Sequence, residues 1–266
     1  DDLRQQFETI ESHTAVRRID ELTDPNVCHT WLWHLSKHHG PVLTSEEYLE
    51  AVRVRLGCAG PTDPVPCSRC GQALFDSSGA HAACCACPES TRGHYGGVKE
   101  LLPRFQQCDP TAESEVTGRI PGTALRPADI LTQALGNTVT ALDVSITSPD
   151  STRAGTDYAA SMFQRTMDYY RPYFGVLEQQ NIEYIPLTWS SYGRPHSSTV
   201  TVLRTLSKRI SRRRGTTTPA AVYHSMQSAI ATEIWRNPPD KCFGAGLAVS
   251  GSRTTRARRA HLLVCS

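Results

Sequence analysis

The sequence predicts an α/β fold, and three observations carry that prediction. Apolar, β-branched alternation marks strands around Ile130 and over residues 139–146 and 182–189. A helical pattern over residues 157–180 separates the last two strands, and two more helices, over residues 199–214 and 219–235, follow them. Strands interleaved with helices close a core as a sheet covered by helices.

The elements before the sheet are helical. Leu3, Phe7 and Ile10 have helical spacing within residues 2–18, and residues 27–35 and 45–56 read similarly. Thr44 or Ser45 with Glu47 to Glu50 behind it marks a helix start, and Gly57 its stop. Residues 1–60 therefore form a helical segment. Its histidines His29, His34, His38 and His39 make no convincing ligand set and read as surface residues, with Trp31 or Trp33 packing inward. The Pro- and Gly-rich run 60–66 is a boundary, followed by a cysteine-rich stretch to residue 97 and a short helix over residues 98–105. Glu113 and Glu115 precede the first strand, the α/β unit spans residues 98–236, and residues 237–266 form a basic tail.

A chain of 266 residues with 39% apolar composition buries a substantial core. The net charge of +2 averages over unevenly placed basic residues. No apolar run has the length of a membrane span and the first residues lack a signal-peptide pattern, so a soluble, unsecreted protein is expected. The Asp at position 1, with the first Met at Met162, suggests a piece of a longer polypeptide.

Two sets of residues carry chemistry. Among ten cysteines, Cys67, Cys70, Cys84, Cys85 and Cys87 crowd together, which favours metal binding over scattered disulfides. Cys67-Ser68-Arg69-Cys70-Gly71 is a Cys-x2-Cys knuckle suited to a tetrahedral zinc, and His81, Cys84, Cys85, Cys87 and His94 offer more ligands than one site needs. The second set is a pair of acids, Asp129 in Arg126-Pro127-Ala128-Asp129-Ile130 and Asp143 in Ala141-Leu142-Asp143-Val144-Ser145. On neighbouring strands they converge at one edge of a sheet, where carboxylate oxygens suit a hard divalent cation.

Together with Ile120-Pro121-Gly122-Thr123, Leu142-Asp143-Val144-Ser145-Ile146-Thr147-Ser148-Pro149 and Trp189-Ser190-Ser191-Tyr192-Gly193-Arg194-Pro195-His196, these motifs resemble the restriction-endonuclease-like domain, of the PD-(D/E)xK superfamily, at the C-terminal end of some non-LTR retrotransposon polyproteins. The resemblance runs from Pro66 to about Gly215. It implies a small mixed sheet flanked by helices, preceded by a helical linker and, over residues 61–97, a zinc knuckle. It also implies a structural Zn2+ on Cys67, Cys70, His81 and Cys85, with Cys84 and Cys87 as alternatives, and with His94 either replacing His81 or capping the next helix. Asp129 and Asp143 would hold Mg2+ or Mn2+. Either Glu113 or Glu115 would add a third oxygen ligand, and Glu115 is preferred because it lies closer to the strand entering the site. The chain departs from the superfamily in having no Lys two residues after Asp143 and none on the following helix, where Arg165 supplies positive charge instead. Arginine is a poor proton acceptor, so activation of water falls to the metal.

The implied activity is nicking of target DNA to prime reverse transcription, in the nucleus, on DNA and with element RNA as a further partner. The alternative is an inactive zinc-knuckle nucleic-acid-binding remnant. Arg204, Lys208 and Arg212 share one side of a predicted helix and suit phosphates. Arg194, with Trp189, Tyr192 and His196, suits a displaced base, although Trp189 also reads as core.

Overall fold

A computed structural model describes residues 13–33, 42–57, 65–66, 74–75, 92–147 and 157–236. Its centre is a four-stranded mixed sheet in the order β3 (Glu113–Val116), β4 (Ala128–Thr132), β5 (Val139–Thr147), β6 (Ile182–Ser190). The strand β4 pairs antiparallel with both β3 and β5, and β6 runs parallel to β5. Helices α3 (Arg92–Gln106), α6 (Ser197–Arg214) and α7 (Pro219–Trp235) bury one sheet face through Leu101, Phe105, Ile130, Leu142, Leu187 and Leu203. Helices α4 (Tyr158–Tyr170) and α5 (Phe174–Gln179) cover the other face around Ala141, Tyr170, Leu177 and Tyr184. The expected α/β class is therefore present.

Three differences from the sequence reading concern this core. The helix expected over residues 98–105 begins earlier, at Arg92, within the stretch assigned to the knuckle, and runs to Gln106. Glu113 and Glu115 belong to a strand rather than preceding the first one. The strand β3 is short, charged and at the sheet edge, so it lacks the apolar alternation that marks a buried strand. The expected helix over residues 157–180 is two helices joined by a 3-10 turn, Arg171–Tyr173. Pro172 has no backbone N–H, so no i→i−4 hydrogen bond continues the ladder there, and the chain tightens into the 3-10 turn although Arg171 keeps helical backbone at φ −48°, ψ −42°.

The amino-terminal helices α1 (His13–Thr23) and α2 (Ser45–Leu56) pack on this unit. Thr44 and Glu47 form a reciprocal capping box, and Gly57 ends α2 in the left-handed conformation at φ 74°. Of the helix expected over residues 27–35, the described residues 27–33 contain a 3-10 turn, Thr30–Leu32, and no α-helix. That turn buries Trp31, which stacks on Trp235 of α7 with centroids 4.8 Å apart, while Trp33 stays exposed. Two short strands, β1 (Val65–Pro66) and β2 (Leu74–Phe75), pair antiparallel. The expected zinc ligands Cys67, Cys70, His81 and Cys85, the alternatives Cys84 and Cys87, and the basic tail lie outside the described residues.

Candidate functional site

The acid pair sits where β4 and β5 part. The antiparallel ladder pairs Thr132 with Thr140, Leu131 with Ala141 and Ile130 with Leu142. One step further the register would set Asp129 opposite Asp143, but there the Asp129 carboxylate replaces the backbone partner. Its Oδ2 accepts the Val144 N–H at 2.6 Å. The Asp143 carboxyl comes within hydrogen-bonding reach of Asp129, and its Oδ2 accepts the Tyr184 hydroxyl from β6 at 2.8 Å. The two acids expected to converge do so.

A histidine from across the fold completes the arrangement. His94, in the first turn of α3, places Nε2 3.3 Å from Asp129 Oδ1 and Nδ1 2.6 Å from the Val144 carbonyl oxygen. Both ring nitrogens face oxygen acceptors, and only the imidazolium carries a donor on each nitrogen. Burial opposes the charge, but the Asp129 carboxylate and the Val144 carbonyl outweigh it, and the imidazole is pushed up to about 9. Gly96 and Gly97 make this approach possible. A Cβ on Gly96 would lie 2.6 Å from a Glu233 carboxylate oxygen, and one on Gly97 would lie 3.4 Å from Val144. Sequence reasoning offered His94 as a zinc ligand or helix cap. The described structure turns it toward the acids, and the adjacent glycine pair inside a helix was the available signal.

Electrostatics here are those of two like charges crowded together. Burial, then the Asp129 charge, raises Asp143 well above the ordinary carboxylate range. Burial and the Asp143 charge likewise raise Tyr184 and Tyr170, so both hydroxyls remain donors. Tyr170 donates to the Arg126 carbonyl at 2.9 Å and holds the chain entering β4.

His94 gives a pH prediction. Its folded pKa is raised, so the stability it adds is full below about 6.5 and is lost as pH rises through about 9. We expect His94→Ala to cost about 3 kcal/mol at the acidic end of this window and little above it. Urea denaturation of both proteins across the window, without divalent metal, measures this.

The other expected site residues are placed elsewhere. Glu115 bulges from β3 at φ 59° and pairs with Arg126 at 2.5 Å, which directs its carboxylate to the surface rather than to the acids. Arg165 lies half-buried on α4, and among the described residues no hydrogen bond or ion pair joins it to Asp129 or Asp143. Arg194 is held by three carboxylates, Glu21 at 2.9 Å, Asp24 at 3.0 Å and Asp157 at 3.1 Å. Trp189 and Tyr192 are core residues, and His196 stacks on Phe163 while capping α6. Arg204, Lys208 and Arg212 are exposed on α6, as expected.

No protein-family model matches this chain, and neither a curated protein nor a solved structure does.

The donors at the acid pair are hard oxygens, those of the Asp129 and Asp143 carboxylates, which suit Mg2+ or Mn2+ held partly by water and phosphate. Among the described residues no group of three or more His, Cys, Asp or Glu side chains is arranged to hold a metal by itself. Among them also no helix is long and apolar enough to cross a membrane.

Proposed function

We propose that this chain is a metal-dependent DNA endonuclease domain, of the restriction-endonuclease-like kind carried by non-LTR retroelements, acting in the nucleus to nick target DNA. One observation supports it most: Asp129 and Asp143 crowd together where β4 and β5 part, and burial with the Asp129 charge raises the proton affinity of Asp143. A fold holds two carboxylates this close at a cost, and perturbed carboxylates of this kind cluster at functional sites.

Asp129 and Asp143 would hold Mg2+ or Mn2+, which when bound polarises a phosphodiester and lowers the pKa of a bound water. Tyr184 orients Asp143 through its hydroxyl, and the Val144 N–H orients Asp129. His94 brings positive charge to Asp129, in a chain with no Lys two residues after Asp143. Arg204, Lys208 and Arg212 would bind phosphates of the DNA, with element RNA as a second polyanion. A structural Zn2+ on Cys67, Cys70, His81 and Cys85 belongs to the same reading.

The absence of a Lys two residues after Asp143 favours a second reading, a nucleic-acid-binding remnant without catalysis. Nicking of supercoiled plasmid decides between them. Relaxation that requires Mg2+ or Mn2+ and is abolished in both Asp129→Ala and Asp143→Ala is expected. A plasmid left intact by wild-type protein that still retards it on a gel supports the remnant instead.

A further inference from the structure

A groove of about 380 Å3 lies on the outer side of α6 and α7, where the loop after α1 crosses them. It is concave, of ligand size, and away from the acid pair. Arg204 and Lys208 from α6 line it with Tyr223 and His224 from α7 and with Pro25 to Cys28 of the loop; none of the described residues that line it is acidic. The Arg204 guanidinium sits 5.7 Å above the Tyr223 ring, and the Gln227 amide donates to the Tyr223 hydroxyl at 2.9 Å, fixing the ring in place.

From this geometry we infer that the groove binds one nucleotide unit of a single-stranded nucleic acid. Its phosphates lie on Arg204 and Lys208, and its base lies against Tyr223 and His224. Three features select this occupant. The cations are four residues apart on a helix, a rise of about 6 Å, and Arg212 continues the row beyond the groove, so the charge is arranged along a line as for a polyanion. Aromatic rings beside such a row give bases a stacking surface. A base paired within a duplex cannot enter a pocket of this size, whereas a splayed base can. The inference needs no catalysis at Asp129 and Asp143.

Binding of a 5′-labelled short oligothymidylate, followed by fluorescence anisotropy in EDTA on the full chain carrying Asp129→Ala, tests it independently of cleavage. Against that background, Arg204→Glu with Lys208→Glu is expected to lower the slope of log K against log salt by about 1.4, two phosphate contacts at roughly 0.7 each. Tyr223→Leu is expected to weaken binding about tenfold, the loss of one stacked base. Arg171→Glu, exposed on the opposite side of the sheet, serves as a charge control and is expected to change little. Bound oligothymidylate should also protect Cys28 from alkylation, read by mass spectrometry of the peptide. The proposal is overturned by absence of binding, by equal slopes for wild-type and doubly reversed groove, by Tyr223→Leu binding as wild type, by unprotected Cys28, or by groove-dependent capture of a phosphopeptide in preference to the oligonucleotide.

Discussion

Asp143→Asn is expected to leave a metal-free protein more stable than wild type at neutral to alkaline pH, while reducing metal-dependent nicking by roughly 100-fold or more, the consequence of losing several kcal/mol of transition-state stabilisation. The two effects have one cause. Asp143 has its carboxyl raised by burial and by Asp129, so the stability it contributes is present below the ordinary carboxylate range and is lost as pH rises through the raised range. Asparagine carries no charge to lose, and its amide oxygen can still accept the Tyr184 hydroxyl that meets Asp143 at 2.8 Å. Thermal unfolding in EDTA across pH, beside plasmid nicking in Mg2+, measures both. A variant destabilised equally at every pH would point to a purely structural aspartate.

Arg194→Ala is expected to cost about 3–5 kcal/mol, the range for breaking a buried ion pair by removing one partner. Arg194 ties the amino-terminal helix to the sheet: its guanidinium meets Glu21 and Asp24 at one end of the chain and Asp157 before α4. Glu21 is only 1% exposed, so it would be left as a buried carboxylate without its counter-charge. Burial already raises Glu21 above its ordinary range, with Ser190 and Arg194 opposing the rise. Removal of Arg194 raises it further, so the loss is small at acid pH, where Glu21 is protonated in both states, and grows as pH rises. Glu21→Gln in the same chain should restore part of the stability. Urea denaturation of the two single variants and the double variant gives the coupling energy, and simple additivity would contradict the pairing.

Local signals were read well where one segment decides its own conformation. The α2 boundaries follow from Thr44, Glu47 and Gly57, which need no distant partner. The strands β5 and β6 show as β-branched runs because both faces of the parallel pair are covered. The acid pair is legible through the resemblance of the motifs around it, because two carboxylates on β-branched runs read by themselves as ordinary strand-end acids; the antiparallel register of β4 and β5 brings them together. What was missed depends on contacts across the fold. His94 reaches Asp129 from α3, which lies against β5 and, closely at Gly96, against α7. A guanidinium reads alike in sequence whether it faces phosphate or three carboxylates, so Arg194 was placed at a nucleic-acid surface. Strand β3 escaped notice because its exposed, charged residues lack an apolar face.

Titration of Mn2+ into the metal-free protein by calorimetry, repeated with Asp129→Asn and Asp143→Asn, tests the central claim most directly. The account predicts one divalent site in wild type that either substitution weakens by at least about tenfold, as expected for loss of a carboxylate ligand to a hard cation. Wild-type affinity in both variants, with each still folded, would contradict it.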